Sequence, residues 1–117
     1  MDKELEYIEN FKSLMRVAMH YAHKAHDFIF DSSVDDLIAV SYLNVAISKF
    51  SSAEAFYYSQ FEFLKRQEAE DIFHLFDTFA NELLSNVRTE HSHQWTDIEF
   101  ERLREAFDYS AFAFGNQ

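Results

Sequence analysis

From Ile8 onward, apolar residues return every three or four positions, the spacing at which side chains share one face of an α-helix. Ile8, Met15, Ala22 and Ile29 form one row at heptad spacing, and Phe11, Ala18 and Ala25 form the row beside it. Tyr7, Leu14, Tyr21 and Phe28 widen the stripe to the breadth expected of a bundle helix rather than an isolated coiled coil. The alanines at 18, 22 and 25 leave room for a neighbouring helix to approach closely. The pattern predicts a first helix reaching Ile29.

The stretch FDSSVDD, residues 30–36, interrupts it. Ser32 and Ser33 can accept from the exposed amides of a following helix, and Asp35 and Asp36 favour its positive end. A second helix is predicted from about Val34 to Leu64. SSAE, residues 51–54, also reads as a capping box that would split this segment. The stripe Leu43, Ile47, Phe50, Tyr57, Phe61, Leu64 stays in phase across it, which favours one continuous helix. A second apolar edge, Ile38, Val45, Phe56 and Phe63, lies well around the cylinder. A helix apolar on two sides is central in its bundle or meets a second subunit.

The polar stretch KRQEAED precedes a third helix, roughly 68–90, with Ile72, Phe76, Phe79, Leu83 and Val87 facing inward and Phe73, Ala80 and Leu84 beside them. TDIE, residues 96–99, reads as a capping box with Thr96 as the cap and Trp95 as a staple against Phe100 or the end of the bundle. The fourth helix then carries Phe100, Leu103, Phe107, Ser110 and Phe114 inward, with Gly115 as its stop. Four helices on short connections predict an all-α fold, an antiparallel up-down-up-down four-helix bundle, forming a single domain over residues 1–117.

Composition strengthens this picture. Proline is absent and the single glycine is at 115, so little interrupts a helix. Fourteen phenylalanines supply an aromatic core, too rich for a disordered acidic chain. The absence of cysteine removes disulfides and thiol chemistry. A net charge of −11 disfavours nucleic acid, whose affinity comes from clustered lysine and arginine, and disfavours anionic membranes. Apolar runs such as Leu37–Val40 are far below the roughly 20 residues that span a bilayer. The opening MDKELEYIEN is no signal peptide, so a cytoplasmic address is expected. With no glycine-rich loop and no nucleophile elbow, no cofactor is expected and catalysis is not favoured.

Five groups of residues remain as candidate chemistry. His20, His23 and His26, with Asp27, are spaced to reach one metal ion in pairs, but three histidines at i, i+3 and i+6 sweep about 120° of the cylinder. His91 and His93 form a second possible metal pair. A di-iron bundle would need inward glutamates and a Glu-x-x-His motif on each of two helices, which the chain does not supply; Asp71-x-x-His74-x-x-Asp77 points to water. RTEHSHQWT, residues 88–96, collects Arg88, Glu90, His91, His93 and Trp95 in one connection. Finally, Ser41, Asn44, Ser48, Ser52, Ala55 and Ser59 share one face of the second helix, the residue sizes that permit close backbone approach.

The segment AHKAHDFIFDSSVDDLIAVSYLNVAISKFSSAEAFYY, about a third of the chain, resembles HEPN-type helical bundles, including the substrate-binding partners of small nucleotidyltransferases. Ribonuclease members of that family carry an arginine followed after four to six residues by a histidine. Arg88 with His93, and Arg16 with His23, match that spacing. The resemblance would imply metal-independent RNA cleavage or a toxin-type role, with His93 in acid–base work and Arg88 steadying phosphate. The residues themselves point first to a non-catalytic bundle that acts by protein–protein association as a homodimer. Its expected interface is Ser41, Val45, Ser48, Ser52, Phe56 and Phe63.

Overall fold

The computed structural model describes residues 3–29, 36–89 and 94–112, apart from the side chains of 88 and 89. Among them are five helices and no strand: α1 (Lys3–Phe28), α2 (Asp36–Ser59), α3 (Phe61–Leu64), α4 (Gln67–Thr89) and α5 (Gln94–Asp108). The all-α class is therefore as the periodicity implies. The molecule measures 51 × 21 × 21 Å, longer than α1, which spans about 39 Å, and about two helices wide.

α1 and α2 lie along each other. Tyr7, at the start of α1, meets Phe56 beyond the middle of α2 and Phe63 of α3 at ring distances of 6.2 and 5.4 Å. At the other end Phe28 stacks on Tyr42 at 5.6 Å. Ala18, Ala22 and Ala25 of α1 and Ala39, Ala46 and Ala53 of α2 are all buried, so the side chains between these helices are small. The large residues lie on either side of the alanine seam, where α4 and α5 complete the core. Phe11, Phe50, Phe76, Phe79 and Phe100 are all buried there, with Phe50 stacked on Phe76 at 4.2 Å.

Several boundaries differ from the sequence expectation. α2 is continuous through Ser51 and Ser52 but ends at Ser59 rather than Leu64. Ser59 turns its hydroxyl back to the Phe56 carbonyl at 2.9 Å, and Gln60 leaves helical geometry with φ −120° and ψ 37°. The buried Tyr57 hydroxyl accepts the Arg66 amide at 2.9 Å and sits 2.8 Å from Glu70 Oε2. It therefore ties the end of α2 to the entry of α4. Ile47, expected inside, is 37% exposed, because the buried face centres on the alanine row.

Thr96 is not a cap. It is fully buried in the first turn of α5, and its hydroxyl donates to the Glu82 carbonyl of α4 at 3.4 Å. Trp95 is 57% exposed, so it does not staple the helix. α5 ends at Asp108 instead of continuing toward Phe114. The Ser110 hydroxyl donates to the Phe107 carbonyl and accepts the Phe112 amide. This folds the chain back and buries Phe112 edge-on against Phe11 at 5.1 Å. Phe114 and Gly115 lie outside the described residues.

Candidate functional site

The most distinctive surface is the outward face of α2. Opposite the buried alanine row stand Leu37, Ser41, Asn44, Ser48, Ala55 and Tyr58, all exposed. Leu37 and Tyr58, at the two ends, are 78% and 55% exposed. No charged residue stands on this face from Leu37 to Ser59, in a chain of which 26% is charged. Lys49, the only exposed charge of α2, follows Ser48 and so lies about 100° around the cylinder from it. A shallow groove of about 380 Å³ opens at one end, lined by Leu37, Ile38, Ser41, Tyr42 and Val45.

Of the residues expected at an interface, Ser41, Val45, Ser48, Ser52 and Phe63 are exposed. Phe56 is half-buried and packs on Tyr7 of α1, which also touches Phe63. These two aromatics therefore flank the outward face and are partly used within the chain.

Two further grooves carry ionisable groups. Between α1 and α5, Arg16, His20, His23 and Arg104 ring an apolar floor of Met19, Phe100 and Phe107, enclosing about 350 Å³. The sequence pair Arg16 and His23 is thus brought to one groove. Its charges are largely paired within the chain. Arg104 bridges Glu101 and Asp108, and the Arg104 hydrogen bond holds the Glu101 carboxyl below its usual range. His23 lies 3.3 Å from Asp27, and Arg16 Nε donates to the Phe112 carbonyl at 3.2 Å. Between α2 and α4, Glu54 and Asp77 share a groove of about 290 Å³ floored by Phe50 and Phe76. Burial, and then the charge of Asp77, push the Glu54 carboxyl up.

His26 joins α1 to α5. Its ring stacks on Phe100 at 4.2 Å and 11°, and Nε2 lies 3.1 Å from Asp97 Oδ1. Burial lowers its pKa below 6.5, and the hydrogen bond and charge of Asp97 only partly offset this. The unfolded chain therefore binds a proton at a pH where folded His26 remains neutral. The stability this site contributes is present above about pH 6.5 and is lost as pH falls from there through the lower folded value. The thermal midpoint should fall more between pH 7 and pH 5.5 in the native chain than in His26→Gln. Parallel decreases in the two proteins would show that His26 is not responsible.

The other sequence candidates are dispersed. Arg88 belongs to the last turn of α4, but its side chain, like Glu90, His91 and His93, lies outside the described residues. His23 turns to Asp27 and His26 to Asp97, while His20 sits edge-on to Tyr21. Among the described residues no group of three or more histidine, aspartate or glutamate side chains is gathered to hold a metal ion. His74 is exposed. No helix among the described residues is long and apolar enough to cross a membrane.

What sequence reading did not identify was Asp97, 71 residues from His26, and the groove at Leu37–Val45. The signal for the groove was present in the two adjacent exposed apolar residues Leu37 and Ile38, opposite a row of alanines. Comparison of the chain with protein-family models, with curated proteins and with solved structures finds no match.

Proposed function

We propose that this protein is a non-catalytic association module: an antiparallel up-down-up-down four-helix bundle that pairs with a second copy through the outward face of α2. The observation that carries the reading is the uncharged strip from Leu37 to Ser59. Two chains of net charge −11 repel, and at physiological salt that repulsion is screened only beyond about 8 Å. Close contact is therefore least costly where neither surface carries charge. Serine and alanine along the strip let the backbones approach, and the exposed leucine and tyrosine at its ends supply the apolar area that drives association.

α2 is about 36 Å long. A strip of that length and about 12 Å wide buries on the order of 1,000 Å² over two partners, near the lower bound of a specific interface. The association should accordingly lie in the micromolar range. Light scattering at about 100 µM should give twice the 13.9 kDa chain mass. Ser48→Glu places a carboxylate in the middle of the strip and should weaken pairing at least tenfold. Helical content should stay unchanged, because exposed substitutions usually alter stability by less than about 0.5 kcal/mol. A monomer at every concentration up to about 500 µM would remove the proposal.

The convergence of Arg16 and His23 on one groove favours a second reading, HEPN-like ribonuclease activity. Metal-free cleavage of single-stranded RNA that disappears in His23→Ala would support it. Intact RNA after prolonged incubation would end it.

A further inference from the structure

The two ends of the outward α2 face are unlike each other, and the difference is complementary. One end is concave: the groove of about 380 Å³ bordered by Leu37, Ile38, Ser41, Tyr42 and Val45. The other carries Tyr58, which projects with 55% of its surface exposed and is supported from behind by Phe61, stacked at 5.9 Å. A chain cannot bring these ends together itself, because the groove and Tyr58 lie on one straight helix about 25 Å apart. A second copy can. Tyrosine is an anchor residue at interfaces because it combines a large apolar ring with a polar tip. The groove offers apolar walls and the Ser41 hydroxyl to such a ring.

Resting on the association proposed above, we infer that α2 packs antiparallel against α2 of the second copy, about a twofold axis near Ser48, with each Tyr58 seated in the other chain's groove. The register follows from the strip itself. In an antiparallel pair the uncharged face from Leu37 to Ser59 overlaps its copy completely when it is inverted about its midpoint, which is Ser48. Inversion sets Ser41 opposite Ala55, and Leu37 opposite Tyr58 and Ser59. Large residues from one end then meet the small or concave surface of the other. A parallel pair would instead set Tyr58 against Tyr58 and leave both grooves empty. The closed twofold arrangement uses the same patch on both copies, so association stops at the dimer.

The absence of native cysteine makes the test direct. Small residues permit interaxial distances near about 8 Å, which bring facing Cα atoms within disulfide range. Ser48→Cys should oxidise to a covalent dimer by itself. Ser41→Cys and Ala55→Cys should each remain largely unlinked alone and cross-link when mixed. Tyr58→Ala should raise the dimer dissociation constant at least tenfold without loss of helicity. If light scattering shows a dimer but Ser41→Cys and Ala55→Cys each link to themselves as readily as Ser48→Cys, the pairing is parallel and the inference fails while the association reading stands. A dimer in which no α2 cysteine links, and which Tyr58→Ala leaves intact, overturns both. A strict monomer overturns the association first.

Discussion

Phe11→Ala should destabilise the fold by about 3–5 kcal/mol, the cost of deleting a fully buried phenylalanine and leaving a cavity. Phe11 is 0% exposed. Its ring meets Tyr57 of α2 at 5.4 Å, Phe73 of α4 at 6.2 Å and Phe112 of the C-terminal turn at 5.1 Å. Because α1, α2, α4 and that turn all converge on it, none can collapse into the space without losing its own packing. In a chain of this size the thermal midpoint should fall by roughly 10–20 °C. Phe11→Leu preserves most of the volume and should cost less than about 1.5 kcal/mol. Chemical denaturation at one fixed protein concentration measures both, since unfolding of a dimer depends on concentration. Equal losses for the two variants would mean that ring geometry, not filled volume, holds this junction.

The contrast between Phe11 and Phe112 shows what a linear reading reaches. Phe11 belongs to a row at heptad spacing, and burial of that row is what the spacing means, so its place inside was legible. Phe112 is buried by a turn that reverses the chain after Asp108, built from the Ser110 hydroxyl bonds. Apolar periodicity has no term for such a reversal, and the in-phase Phe114 argued for a longer helix. Thr96 fails for a related reason. A threonine three residues before a glutamate looks like a capping box, yet the acceptor that claims its hydroxyl is the Glu82 carbonyl, 14 residues earlier. Such partners are visible only once α4 and α5 are packed.

The candidate surface divides in the same way. The lack of charge on the outward face of α2 is a property of sequence and spacing, and it was readable as a small-residue stripe with an apolar edge. That Phe56 is partly taken by Tyr7, while Tyr58 stays more than half exposed, depends on where α1 lies. So does the concavity at Leu37 to Val45. The chemistry suggested by RTEHSHQWT falls on Arg88, Glu90, His91 and His93, whose side chains lie outside the described residues. Among the described residues, the groove between α1 and α5 gathers Arg16 and His23 from α1 and Arg104 from α5.

The end of α2 provides the second large effect. The apolar stripe continues in phase to Leu64, yet the helix stops at Ser59 because Tyr57 spends its hydroxyl on the next element. The phenol accepts the Arg66 amide at 2.9 Å and directs its own hydrogen to Glu70 Oε2 at 2.8 Å, with the Arg66 carbonyl 3.1 Å away. Burial pushes its pKa up to about 12, so the donor keeps its proton throughout the neutral range. Tyr57→Phe retains the ring and its packing against Phe11 and Phe73, but leaves the Arg66 amide and the Glu70 carboxylate without this partner. A loss of about 1–3 kcal/mol is expected, the cost of orphaning part-buried polar groups. Glu70→Gln replaces the charged acceptor by a neutral one and should cost less. In the double variant the losses should be sub-additive by about 1 kcal/mol, since both substitutions act on one bond. Hydrogen exchange gives the decisive spatial check: protection should fall first at residues 57–70, where α2, α3 and α4 are joined. If Tyr57→Phe were neutral and exchange there unchanged, the turn would be held by Phe61 and Leu64 packing alone, and the hydroxyl would not be what ends the helix.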